Sequence, residues 1–238
     1  MEQQNYINSV NLNKNTNFPY LVLDVVDDNS YPRNPGFQVM HWHEDLQFIA
    51  VLSGEAKVVT LEKSVLLHSG EGAFINKNVV HLVRKNGSCH YKSFVFPDFF
   101  LKFYTDCPAN RIVEQWAGKE NFPFFHIENR EEHRKVLALL QKLSNLGRQE
   151  TPFYAYEVLT MLRALWLARI SWLVAHHHTY TNVDGLDHQI LLEADFLVNA
   201  GESGYTQPAI QHFRECVFRT AAGTALLDSM YLRGAENP

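Results

Sequence analysis

The chain is poor in the features that place a protein quickly. Its 238 residues hold three cysteines, Cys89, Cys107 and Cys216, widely spaced and odd in number. That excludes a disulfide framework and a CxxC zinc site, and reduced thiols are expected. Neither GxGxxG nor GxxxxGK followed by Ser or Thr occurs, and no GxSxG, so neither a nucleotide cradle nor a serine-hydrolase elbow is supported. The most hydrophobic window, VLTMLRALWLARISWLVA at 158–175, contains Arg163 and Arg169, costly at the centre of a bilayer. The amino terminus, MEQQNYINSVNLNKN, lacks the basic start and apolar core of a secretory signal. A cytoplasmic protein with no membrane partner is expected. Lysine is missing from residues 184–238, where three arginines face eight carboxylates, so the whole formal charge of −5 falls in that tail.

What is present is a 46% hydrophobic, 13% aromatic chain able to bury a core as one or two domains. From about residue 18 to 100 short apolar runs read as strands: FPYLVLDVV, GFQVMHWH, LQFIAVLSG, EAKVVTLEKSVLL, EGAFINKNVVHLV and HYKSFVFP. The turn-formers between them are Asp27 to Ser30, Asn34-Pro35-Gly36, Ser53-Gly54, Ser69-Gly70 and Asn86-Gly87-Ser88. Such spacing predicts an antiparallel sandwich or small barrel.

After Pro97 the period becomes 3.6. NREEHRKVLALLQKLSNLG predicts one amphipathic helix, with Asn129 as cap, Glu131 and Glu132 in the first turn and Gly147 as stop. A second helix from Pro152 to His176 carries Tyr156, Leu159, Leu162, Trp166, Ile170 and Leu173 at steps of three and four. The short connection at Arg148-Gln149-Glu150 makes the two an antiparallel pair. Val158, Met161, Leu165, Leu167 and Val174 lie off that stripe, a surplus that calls for burial against the barrel or another subunit. Trp166 and Trp172 read as packing anchors. HHHTYTNVDG, 176–185, reads as a linker whose three histidines point different ways and are solvated.

The chemistry-bearing stretch is HWHEDLQFIAVLSG, 41–54. On a strand His41, His43, Asp45 and Gln47 share a face, and His81 follows from a neighbouring strand. Three imidazoles aimed at one point allow two readings: metal ligation, or the hydrogen-bonded polar floor of a binding pocket. Glutamine offers only a neutral amide oxygen where a carboxylate would complete an anionic ion site. No cofactor is expected; were a metal held, His41, His43 and His81 would hold it.

The spacing His41-x-His43-x3-Gln47-x6-Gly54 resembles the first cupin motif, and Gly70-Glu71-Gly72-Ala73-Phe74-Ile75-Asn76-x4-His81 resembles the second. More narrowly, HWHEDLQFIAVLSGEAKV and SGEGAFINKNVVHLV resemble the sensor half of AraC-type transcriptional regulators, over residues 18–176. The resemblance implies a barrel that binds a small effector, paired helices that dimerise, and attached DNA-reading domains whose placement responds to ligand.

The fold class expected is therefore mixed β + α: an N-terminal cupin-like antiparallel β-barrel, an antiparallel helix pair and a short helical C-terminal tail. The domains expected are 1–100 (barrel with N-terminal arm), 101–178 (helical dimerisation region), 179–186 (linker) and 187–238 (partial or degenerate helix-turn-helix). His41, His43, Gln47 and His81, with Phe37, Val39 and Phe74, are the expected ligand-binding residues. Tyr156, Leu159, Leu162, Trp166, Ile170 and Leu173 are expected at a homodimer contact. The effector class implied is a sugar or other polar metabolite.

The tail, 55 residues over 184–238, is short for such a regulator. LDHQILLEADFLVNAGES resembles part of a first long helix, and FRECVFRTAAGTALLDSMYLRG faintly resembles a recognition helix, a Gly-Thr turn and a tyrosine-bearing helix. DNA affinity rests on Lys and Arg at phosphates, so this acidic segment is expected to bind DNA weakly or not at all, with Arg214 and Arg219 as candidates. A metal-dependent cupin dioxygenase or isomerase is the competing class. A purely structural dimerisation protein is the third.

Overall fold

The computed structural model describes residues 6–105, 107–117, 124–147, 152–176, 178, 180, 183 and 185–232. It divides into two compact units, residues 1–169 and 170–238.

In the first unit nine strands form one sheet: β1 (Ile7–Asn8), β2 (Leu21–Val26), β3 (Asn29–Tyr31), β4 (His41–Trp42), β5 (Leu46–Thr60), β6 (Ser64–His68), β7 (Gly72–Ile75), β8 (His81–Phe96) and β9 (Phe124–Ile127). The spatial path is β1-β4-β8-β5-β7-β9, with β2 beside β8, β3 beside β2 and β6 beside β5. Every pairing is antiparallel except β1 with β4, which is parallel.

Three local expectations are corrected. Gly36 to Gln38, read as strand, lies in a 3-10 turn over Pro35–Gln38, because Pro35 starts a turn better than it extends a strand. Ser53-Gly54 and Asn86-Gly87-Ser88, read as turns, lie inside β5 and β8, whose mutual pairing shifts register between Val51 and Ser53 and again between Gly54 and Ala56. Bulges let a long strand bend without ending. β9 was unread and extends the sheet beyond residue 100 by pairing with β7.

Gly54 shows why the bend requires glycine. Its φ is +70°, and a Cβ there would collide with the Ser88 carbonyl oxygen on the paired strand. Gly54→Ala is expected to destabilise the sheet by roughly 3 kcal/mol, adding left-handed backbone strain to that clash. A urea midpoint unchanged from the parent chain would refute this.

Strand alternation divides the first unit's core into two layers. Odd positions Leu21, Leu23, Val25, Ile49, Val51, Ala73, Ile75, Val83, Tyr91 and Val95 form one buried cluster. Even positions Phe48 and Phe74 face the other way, with ring centroids 5.1 Å apart, and Phe74 packs on Phe125 at 5.2 Å and on Trp166 at 5.9 Å. Trp166 lies on α3 (Pro152–His176), which follows α1 (Pro108–Trp116) and α2 (Arg134–Asn145). The fully buried aromatics of this second layer each contribute on the order of 2 kcal/mol by leaving water.

The two arginines of the apolar window have definite partners. Arg163 donates to the Phe100 and Lys102 carbonyls at 3.0 and 2.8 Å, and its guanidinium lies 4.8 Å from the centroid of Phe103. Arg169, 3% exposed, stacks 4.5 Å over Phe125. Among the described residues no helix is long and apolar enough to cross a membrane.

The expected helix at 129–147 begins later, as a 3-10 turn Glu131–His133 running into α2, and ends with Leu146 as cap. Asn129 does not cap it; its N–H donates to Glu71 Oε1 at 3.2 Å. The loop expected to join the helix pair lies outside the described residues.

The second unit holds α4 (Gly185–Ser203), α5 (Gln207–Cys216) and α6 (Ala221–Leu227), which runs into a π turn over Asp228–Leu232. Phe196, Leu197, Ala200, Ile210, Phe218 and Leu227 make its core, with Phe196 stacked on Phe213 at 4.3 Å. Gly223-Thr224, read as a turn, lies within α6, because Thr220 caps the helix ahead of them by accepting from the Gly223 N–H at 3.0 Å. Part of the expected linker is packed on this unit: His178 pairs with Asp195 at 3.1 Å and Tyr180 meets Phe213 edge-on at 5.6 Å.

Candidate functional site

His41 comes from β4, His43 from the turn after it, Gln47 from the start of β5, and His81 from the start of β8 directly opposite His41 in register. All four are at most 1% exposed. The ring centroids of His41 and His81 are 4.4 Å apart, those of His43 and His81 5.0 Å, and those of His41 and His43 5.8 Å.

The hydrogen bonds decide which nitrogens carry protons. Each Nδ1 lies against a backbone carbonyl: His41 against Val39 at 2.7 Å, His43 against Asp45 at 2.9 Å, His81 against Val79 at 2.9 Å. A carbonyl only accepts, so each Nδ1 is the N–H and each Nε2 of a neutral ring carries a lone pair. Burial keeps the rings neutral, lowering His41 to about 4 and lowering His43 and, further, His81. Gln47 Oε1 stands 3.0 Å from His43 Nε2 and 2.9 Å from His81 Nε2, while Gln47 Nε2 donates to Ser93 Oγ at 2.7 Å. His41 Nε2 is buried with no hydrogen-bond partner among the described residues.

Four lone-pair atoms therefore face one another, an unfavourable arrangement that two things relieve. One is a cation among them. The other is a half-turn of the amide, placing NH2 against the two imidazoles while Ser93 donates its hydroxyl to the oxygen. The three histidine ligand atoms lie within 4.8 Å of one another, so the residues fit a divalent ion held by His41, His43, His81 and Gln47 Oε1. Such an ion would supply Lewis acidity at this point.

Depressed imidazole pKa values have a consequence for stability. An unfolded histidine takes up a proton near pH 6.5, whereas folded His41 resists it until about pH 4. Stability is therefore complete above pH 6.5 and is lost as pH falls from 6.5 towards 4, by roughly 3 kcal/mol for His41 alone. The downward shifts of His43 and His81 act in the same direction. Urea midpoints that stay level between pH 7.5 and 4.5 would rule this out.

The other expected site residues separate. Phe37 is buried against the rings, 4.6 Å from His41 and 5.8 Å from His43. Val39 is 42% exposed, and only its carbonyl joins the cluster. Phe74 lies on the opposite face from Gln47, since Gln47 is in register with Ile75 and Phe48 with Phe74. Ser93, which sequence reasoning missed, stands on the face of β8 shared with Tyr91 and Val95. Its odd position in YKSFVF was the available signal.

Two cavities flank the cluster. One of about 520 Å³ is lined by His43, Asp45, Asn11, Lys14 and Lys77 beside the N-terminal arm. The other, of about 300 Å³, runs along β2 and β8 and has a mixed lining, apolar from Leu23, Val25, Phe37 and Val83 and polar or charged from residues such as Asp28, Lys85 and Ser93. His41, Gln47 and His81 line neither.

At the expected dimer stripe, Leu162 and Trp166 are buried at 0% and 7%, and Trp166 is used by Phe74 within the chain, because the sheet's outer aromatic layer needs a cover. Leu159 and Ile170 are half-buried, Tyr156 is 76% exposed, and the Leu173 side chain lies outside the described residues. Phe153 and Leu167, both exposed, share the face of Tyr156 at helical spacing.

Neither Arg214 nor Arg219 is free. Arg214 makes a two-point pair with Asp228 at 2.6 and 2.8 Å, and Arg219 donates to the carbonyls of Glu215, Cys216 and Phe218.

A cupin domain family model matches residues 31–95, the stretch that holds the three histidines and Gln47. The chain is similar over part of its length to a transcriptional regulator. It is 28% identical over 137 residues, 55% of its length, to an uncharacterized HTH-type transcriptional regulator, YdeC, of Bacillus subtilis (strain 168). The match spans 45% of that relative, so the chain covers less than half of its length. Among solved structures, apo ToxT from Vibrio cholerae aligns over 89% of this chain and 80% of its own at 11% identity and a TM-score of 0.44. FeII HppE aligns over 32% of this chain and 41% of its own at 28% identity and a TM-score of 0.26. The regulator relative agrees with the AraC-type resemblance read from the motifs.

Proposed function

We propose that this chain is the small-molecule-sensing and dimerising portion of an AraC-type transcriptional regulator, with a helix-turn-helix unit that contacts DNA weakly. The observation that carries the reading is the cavity along β2 and β8, whose lining residue Ser93 is hydrogen-bonded to Gln47 of the histidine cluster. An effector lodged there can move a buried polar network without any group being placed to react with it. A homodimer is the assembly proposed, through the exposed face of Phe153, Tyr156 and Leu167 on α3. Weak DNA contact follows from the acidic tail and from the engagement of Arg214 and Arg219 within their own unit.

An electrophoretic shift in low salt, with DNA from upstream of the chain's own gene, is expected to give only smeared, easily competed complexes. A discrete band resisting nonspecific competitor would overturn the DNA part of the reading.

The metal-dependent cupin enzyme remains a second reading, favoured by one observation: three Nε2 lone pairs and an amide oxygen converge. Elemental analysis of protein purified without a histidine tag distinguishes the two, since an enzyme retains stoichiometric Fe, Ni, Mn or Zn and turns over a substrate. A sensor needs neither.

A further inference from the structure

The second unit carries a pair of metal-ligand side chains of its own. His212 and Cys216 stand four residues apart on α5, one turn along the same face, and both are exposed. Cys216 Sγ lies 3.7 Å from His212 Nδ1 and 3.8 Å from its Nε2.

Those separations match a coordination geometry. Zinc bonds of about 2.3 Å to sulfur and about 2.1 Å to nitrogen, set at the tetrahedral angle, place the two donors about 3.6 Å apart, whereas the same bonds in a straight line place them about 4.4 Å apart. The pair is therefore spaced as one edge of a tetrahedron, and an exposed ring is free to turn either nitrogen to the ion. A thiolate beside an imidazole is a soft donor set, which suits zinc and not magnesium, calcium or manganese.

One edge supplies two ligands of four. The neighbouring carboxylate, Glu215, accepts from Gln211 Nε2 at 2.8 Å, and among the described residues no group of three ligand atoms forms on this helix. A twofold axis beside α5 supplies the other two, since it brings the same imidazole and thiolate from a second copy and yields the Cys2His2 set of closed structural zinc sites. The surroundings allow that approach. Pro208, one turn back on the same stripe, and Gln211 are exposed and uncharged, and Arg214, the only arginine of α5, is held by Asp228.

We propose that His212 and Cys216 form half of a zinc site that a second copy of this chain completes, each Cys216 giving its thiol proton to solvent as the Zn–S bond forms. The ion clasps two copies of the helical unit at one spacing. This site depends neither on the cavity along β2 and β8 nor on the three buried histidines of the first unit.

The test titrates the full chain, reduced and metal-free, with cobalt(II), which occupies tetrahedral zinc sites and gives a thiolate-to-cobalt charge-transfer band that imidazole ligands cannot produce. That band separates this site from the cluster of His41, His43 and His81. It is expected to saturate at one cobalt per two chains and to vanish when zinc is added. Cys216→Ser is expected to abolish it and Cys107→Ser to leave it unchanged. His212→Gln is expected to raise the half-saturating cobalt concentration roughly tenfold or more, since a lost ligand costs no less than a lost outer partner. No band, a band that survives Cys216→Ser, or equal affinity in His212→Gln would overturn the site. Saturation at one cobalt per chain would overturn its completion by a second copy.

Discussion

Gln47→Glu is expected to raise affinity for a divalent ion on the order of a hundredfold, because it exchanges a neutral oxygen for an anionic one among three imidazole lone pairs. Gln47 is wholly buried, with its oxygen already 3.0 and 2.9 Å from two Nε2 atoms, so the carboxylate needs no new geometry. Without an ion the same substitution leaves an uncompensated buried charge and removes the amide donor that can satisfy His43, His81 or Ser93. Chelator-treated Gln47→Glu is therefore expected to lose about 3 to 5 kcal/mol against the parent, restored by adding zinc or nickel. The parent should change little on chelation if amide rotation satisfies its lone pairs. Calorimetric titration and melting with and without chelator measure both halves. Equal ion affinity in the two proteins would mean that Gln47 oxygen does not belong to the ion's surroundings.

Glu193→Ala should have an effect of similar size in the second unit. Glu193 is 2% exposed, and its carboxylate accepts from Gln189 Nε2 at 2.7 Å, the Arg219 N–H at 2.7 Å, the Thr220 N–H at 2.9 Å and, closer still, the Thr220 hydroxyl. These contacts tie α4 to the segment between α5 and α6. Alanine leaves two part-buried backbone N–H groups without their acceptor and opens a void, a loss of about 2 to 4 kcal/mol. Glu193→Gln keeps the shape but turns an NH2 towards donors, and is expected to cost about half as much. Hydrogen exchange should show α5 and α6 losing protection while β5 and β8 keep theirs. Uniform loss across both units, or no loss, would contradict the assignment of Glu193 as the clasp of the second unit alone.

These effects mark where sequence reasoning was sufficient. The period-2 alternation of LQFIAVL and YKSFVF was visible, as was the common parity of His41, His43 and Gln47, because strand geometry makes alternate residues share a face whatever the partner strand. The helix from Pro152 to His176 was equally plain, since an apolar stretch of that length bounded by proline has few alternatives. The HxH spacing and the distant His81 resembled cupin motifs because three side chains cannot converge from a small sheet by many routes.

Register and cover were not legible. Phe74 belongs to the motif that carries His81, yet it packs on Phe48, Phe125 and Trp166, and only the pairing of Gln47 with Ile75 reveals that it faces away from the histidines. Ser93 entered the cluster from β8 through one hydrogen bond whose existence depends on a partner 46 residues away. Leu162 and Trp166 read as a dimer stripe because a helix's pattern states which face is apolar, never what covers it; the sheet's aromatic layer had the first claim. Arg214 and Arg219 were only candidates for phosphate contact in the sequence, which could not show that Asp228 and three backbone carbonyls engage them. By itself the sequence determined the residue classes, the strand parity and the convergence of imidazoles, all consequences of local backbone period. Only the tertiary structure decided which lone pairs meet, which donors remain unpaired and which charges are already spent, because those depend on distances between strands and helices that no local period encodes.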